Sequence, residues 1–158
     1  MINVFEQPTS SWDVLERVKK LVREEPKRMA MFVELVRMAL QLYSDHAPLG
    51  YPRCGAVGCI GGWSGILLQM VDWEGKQSPV LADVAERMGL DWETQASDFF
   101  YPVRPGLHWS NKAGAQTLEY AEKVLKHIEE FQMLHERQLK NHMCKIGPIT
   151  PAELNEQG

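Results

Sequence analysis

Apolar residues recur at intervals of three and four along much of this chain, and that period restricts it to helices. Val14, Leu15, Val18, Leu21 and Val22 form one stripe, and Leu118, Ala121, Leu125 and Ile128 form another, with Tyr120, Val124, His127, Phe131 and Leu134 beside it. Such spacing gathers side chains on one face of a 3.6-residue helix and gives folding a surface to bury. No alternating apolar–polar run marks a strand, so the predicted class is all-α. A chain of 158 residues can bury one sizeable core. The expectation is a single domain over 1–158, a compact bundle of about five to six helices, with residues 1–10 and 142–158 irregular and the tail after His142 loosely held.

Start and stop signals divide the pattern. Ser10 or Ser11 can cap a first helix to about Glu25, with Asp13 placed to complement its dipole. Pro26 ends it and suits the first turn of a second helix to about Tyr43, which is apolar on two faces. Residues 44–53 read as a loop. A glycine-rich helix is predicted from about Gly58 to Met70, and Ser78-Pro79 opens a short helix closed by Gly89. Asp91 can cap another short helix to about Phe100, and Tyr101 to Trp109 is a proline-rich loop whose aromatic groups and Arg104 suit a binding surface. The longest helix is expected from Asn111 to about Asn141.

The glycine helix is the architectural centre of this reading. Gly58 and Gly62, like Gly61 and Gly65, are separated by four and share a face, where missing side chains let another backbone approach. Each glycine costs a helix up to about 1 kcal/mol relative to alanine. Four of them therefore imply a packing reason, which outweighs a phosphate cradle because neither a Walker lysine nor a Gly-x-Gly-x-x-Gly order is present. Cys59 falls in the first turn, where free N–H groups and the dipole favour a thiolate, and Cys54 lies close enough in sequence to act as a resolving partner. A small buried hydrophobe is the simpler role for Cys59.

Cys54-Gly-Ala-Val-Gly-Cys59-Ile-Gly-Gly-Trp63 resembles a Cys-Gly-x-x-x-Cys-x-x-Gly-Trp signature of small bacterial and bacteriophage proteins of largely unknown function. The resemblance extends more weakly through Met88-Gly89-Leu90 and Phe99-Phe100. Gly61 stands where the signature usually has alanine. A bacterial or phage origin and a compact helical domain follow from the resemblance, with Gly55, Gly58, Gly61, Gly62 and Trp63 as its structural motif; it implies no reaction.

Three sharper chemistries compete with the plain bundle. A cysteine hydrolase would pair Cys59 with His108, but papain-like enzymes present that histidine on a sheet, and no sheet is predicted. His46, Cys54, Cys59 and His108 can be gathered into a two-histidine, two-cysteine zinc site, although Cys-x4-Cys is wide for one and lacks a second close pair. His127, His135 and His142 on the last helix are too far apart axially to share an ion. Leu81-Ala-Asp-Val-Ala-Glu-Arg-Met-Gly-Leu90 closely resembles the first helix and turn of a lactose-repressor-type helix-turn-helix, which would span residues 81–100. Residues 78–101 carry Asp83, Glu86, Asp91, Glu93 and Asp98 against Arg87 alone, a charge of −4 that repels a duplex.

The net charge of −4 and pI near 5.7 likewise argue against general affinity for nucleic acid or anionic membrane. The start of the chain lacks a basic region followed by an apolar stretch, no run is long enough to span a bilayer, and three cysteines fit a reducing compartment. The expected location is cytoplasmic. None of these patterns calls for a cofactor or a metal. The leading expectation is a non-enzymatic helical accessory protein whose partner is another protein or a second copy of itself. A thiol-dependent redox or nucleophilic protein using Cys59 and Cys54 is the alternative, and helix-turn-helix DNA binding stands behind it.

Overall fold

The first helix, α1 (Ser11–Glu24), begins where the sequence places it. Ser10 holds an extended backbone and its hydroxyl accepts the Asp13 N–H at 3.1 Å, while Asp13 complements the dipole. Val14, Leu15, Val18, Leu21 and Val22 are all buried, each worth about 1.5–3 kcal/mol when taken from water. Their partners come from the rest of the chain in this computed structural model, which describes residues 10–26, 60–70, 81–102, 118–147, 149–150 and 152–153. The helix expected after Pro26, the loop at 44–53, the Ser78-Pro79 cap and most of the proline-rich loop lie outside them.

Every described element is helical: α2 (Ile60–Leu67), α3 (Leu81–Arg87), a single π-helical turn (Trp92–Ala96), α4 (Ser97–Phe100), α5 (Leu118–Leu134) and α6 (Glu136–Asn141). The described residues contain no strand, and the class is all-α. α1 packs against α2, α5 and α6; α2 packs on α3; α4 packs on the π turn and α5. One apolar core runs through them, with Trp63, Phe99, Phe100, Met88 and Ile128 fully buried.

All eight residues of α2 are buried. A Cβ on Gly61 would stand 2.6 Å from Leu81 Cδ2 and 3.3 Å from the Phe100 ring, so this glycine seats both α3 and α4. The helix stops at Leu67, short of the Met70 expected. Gln69 turns left-handed (φ 56°), and the Gln69 and Met70 N–H groups bond back to Ile66 and Gly65 at 2.9 Å. That is a Schellman cap built without glycine. α3 ends in the same motif on Gly89 (φ 70°), whose N–H reaches Glu86 O, while the Leu90 N–H reaches Ala85 O.

Two expected helices are interrupted. Asp91 caps as predicted, accepting the Thr94 N–H at 2.8 Å, but the segment to Phe100 opens as a π turn before α4. The Gln95 side chain accepts the Asp91 N–H at 2.9 Å and so satisfies a donor at that end. The longest helix breaks at His135 (φ −120°, ψ 27°) into α5 and α6 instead of running to Asn141. The His135 ring leans on Phe131, with centroids 4.6 Å apart, and its Nδ1 meets Gln95. These tertiary contacts come from residues remote in sequence and override a locally sound helical pattern.

The expectation of a loosely held tail is corrected for the described part. Residues 142–147 are not helical, yet they are tied down. His142 O accepts the Ser11 N–H at 3.1 Å, Gly147 N–H reaches Leu68 O at 2.7 Å, and the His142 ring donates to Arg87 O at 2.9 Å. Arg87 then clamps the far end, holding both oxygens of Glu153 at 2.6 and 3.0 Å and Gly147 O at 3.0 Å. Glu153 and Thr150 cap each other reciprocally, Glu153 N–H to Thr150 Oγ1 at 3.2 Å and Thr150 N–H to Glu153 Oε1 at 3.3 Å, a capping box.

Candidate functional site

A cleft of about 400 Å³ opens between the π turn with α4 on one side and the end of α5 on the other. Phe99 and Phe131 form its floor, stacked with centroids 3.8 Å apart and planes within 7°. Pro102 and His127 complete the buried part, and Thr94, Gln95, Asp98, Glu130, Leu134 and His135 form the rim. The stripe that buries Val124, Ile128 and Phe131 carries on into the last turn of α5, where Leu134 is 77% exposed and its neighbour Met133 79% exposed. An amphipathic helix has here run past the core that covers it.

Polar groups around the floor are committed to holding it. His127 Nε2 donates to Phe99 O at 2.9 Å, and its ring lies 5.3 Å from that of Phe99. Gln95 and Gln138 exchange amide hydrogen bonds of 2.7 and 2.9 Å, and Gln138 donates a further one to Gly89 O at 2.8 Å. Gln95 also donates to His135 Nδ1 at 3.2 Å. Burial pushes the His135 pKa down, which favours the neutral ring that this bond needs. Asp98 and Glu130 bring two carboxylates to the rim.

Few of the sequence candidates meet here. Cys54, Cys59, His46, His108, Gly55 and Gly58 lie outside the described residues, and with them the thiol pair, the hydrolase pair and the zinc set. Gly61, Gly62 and Trp63 are buried inside α2, away from any surface. Cys144 is a described cysteine; its Sγ lies 3.4 Å from Ser11 Oγ, and burial raises its pKa, so it is held as a thiol. The histidines of the last helices go to three structural tasks, on Phe99 O, Gln95 and Arg87 O. Among the described residues no group of three or more His, Cys, Asp or Glu side chains can hold a metal, and no helix is long and apolar enough to cross a membrane.

The helix-turn-helix segment does form a corner, but its second half exposes Asp91, Glu93, Thr94 and Asp98. Its one arginine is buried against Glu153. The sequence places His127, Phe131 and Leu134 on one stripe of the longest helix and does not show that they, with Phe99 and His135, line an opening. The available signal was Leu134, which continues the buried stripe into a turn where it stands exposed. Comparison with protein-family models, with curated proteins and with solved structures finds no match.

Proposed function

We propose that this protein is a helical accessory protein that binds another polypeptide, and that the cleft between α4 and α5 is the surface it uses. The carrying observation is a cleft of about 400 Å³ built over the stacked, buried Phe99 and Phe131 beside an exposed Leu134. An opening of this volume falls within the range of ligand and side-chain pockets. The His127 ring and the Gln95 and Gln138 amides are spent on positioning the floor, which gives a rigid receptacle with the exposed Leu134 at its mouth. Large side chains in such a receptacle dominate binding energy at interfaces.

A selection from a random-peptide display library tests the reading. Binders should enrich, lose binding to Leu134→Glu, and keep it for Glu122→Lys, since Glu122 is exposed on the far side of α5 from Phe131. Failure to enrich any binder, or binders indifferent to Leu134→Glu, would overturn it.

A further inference from the structure

We infer that His135 is a proton-operated switch in the wall of the cleft, closing a hydrogen-bond network as a neutral ring and opening it as imidazolium. The direction of every bond in that network is set by two backbone groups. The Asp91 N–H only donates, so the Gln95 atom 2.9 Å from it is the amide oxygen. Gly89 O only accepts, so the Gln138 atom 2.8 Å from it is the amide nitrogen. Between these anchors the two amides exchange bonds of 2.7 and 2.9 Å, each nitrogen facing the other's oxygen. Turning either amide over would set like against like at its backbone anchor. The second N–H of the Gln95 amide is thereby committed to His135 Nδ1 at 3.2 Å, and Nδ1 has to accept. The ring is then neutral, with its proton on Nε2.

The other described histidines carry no such restriction. His127 and His142 turn Nε2 to backbone carbonyls, Phe99 O and Arg87 O, which accept from the neutral ring and from imidazolium alike. A proton on His135 Nδ1 would instead face an amide N–H that cannot turn away, so the ring has to leave. His135 stands where α5 gives way to α6 and its ring leans on Phe131, so its departure loosens the break and the cleft rim together. The titratable groups that share the cleft with it are Asp98 from α4 and His127 and Glu130 from α5. The π turn and α6 bring Gln95 and Gln138, which do not ionise. Burial holds the ring below the ordinary 6.5, which sets the switch on the acid side of neutrality. The switch belongs to the chain itself and holds whatever the cleft binds.

Nitrogen NMR of the full chain, followed from about pH 8 to about pH 4, tests this without any partner. At the alkaline end His135 should show Nε2 protonated and Nδ1 bare. As pH falls, the Gln95 side-chain amide signals should move with the His135 titration at one shared midpoint below 6.5. His135→Gln keeps an acceptor for Gln95 but does not ionise, so in that variant the Gln95 signals should stay still over the same range. Gln95→Glu puts a carboxylate oxygen where the amide nitrogen stands, and His135 should then bind its proton about tenfold more tightly. Circular dichroism checks that both variants are folded. A neutral ring protonated on Nδ1, or Gln95 signals that ignore the His135 titration, would overturn the inference. So would a folded Gln95→Glu variant whose His135 midpoint does not rise.

Discussion

Arg87 and Asp98 belong to the same helical corner and end in opposite circumstances. Arg87 faces the tail, where all its directions are used: Glu153 takes two, Gly147 O a third, and its own carbonyl accepts from His142. Asp98 faces the cleft and stands exposed beside an apolar floor. On the tail side, polar groups are consumed by tertiary structure, and the surface left behind has little with which to recognise a partner. On the cleft side, amides and imidazoles are consumed beneath the floor, while the Leu134 side chain and the Asp98 carboxylate stand exposed at the mouth. One short corner thus closes the fold with one face and lines the proposed interaction surface with the other.

The largest expected effect breaks the tail side. Gly89 is left-handed, and a Cβ there would run into the His142 ring. Gly89→Ala should destabilise by about 2–4 kcal/mol, combining the left-handed penalty with overpacking. Urea unfolding measures it. If the two sides are separate, peptide affinity of the folded variant stays unchanged; a parallel loss would make the corner a single unit.

Gly61→Ala attacks the cleft side and should cost less, about 1–2 kcal/mol, because the nearest atom is the movable end of Leu81. Its reach is different. Phe100 packs against Gly61 and lies 5.6 Å from Phe99, which stacks on Phe131. A displaced Phe100 should disturb the floor, so this milder variant should lose more peptide affinity than Gly89→Ala. The opposite ranking would show that the floor does not rest on α2.

How much of this was legible beforehand follows from where each signal resides. The all-α class, the Ser10 and Asp91 caps and the stop at Gly89 are local, and the structure places them as read. The capping box Thr150-Pro-Ala-Glu153 was equally local and readable, but the tail's prolines drew it into an irregular segment. The break at His135 was not legible. It depends on Gln95 and Phe131 meeting one imidazole, and no period within residues 118–141 encodes that. The cleft was half legible: Leu134 marks an uncovered stripe, but only the π turn and α4 show what faces it.

Gln69→Gly should change stability the other way and by less. Gln69 occupies a left-handed position that glycine adopts without strain, offset by the larger entropy glycine loses on folding. A gain of about 0.5 kcal/mol is expected. The adjoining Leu68 carbonyl accepts the Gly147 N–H, so the gain should appear on the tail side as slower amide exchange at Gly147, with exchange in α5 unaltered.

The smallest effects are read against pH, and they separate the two sides by window. On the tail side, the hydrogen bonds from Arg87 lower the Glu153 carboxyl to about 2, from an ordinary value of 4.5. A depressed carboxylate contributes stability that is present above 4.5 and lost as pH falls through the folded value, since the unfolded chain binds the proton first. Glu153 is solvent-accessible, which screens the pair and keeps the effect modest. Glu153→Gln should therefore flatten the stability profile below pH 4.5. On the cleft side, burial lowers His135 from 6.5, so the folded protein resists taking up its proton. That depression makes stability fall as pH drops below 6.5, and His135→Gln should flatten this higher window alone. Thermal melts of both variants between about pH 3 and 8 decide the matter. Two independent windows mean that the corner's faces titrate separately. If either substitution flattened both windows, the clamp and the cleft would share one network through Gln138 and Gly89 O, and the separation drawn between them would fail.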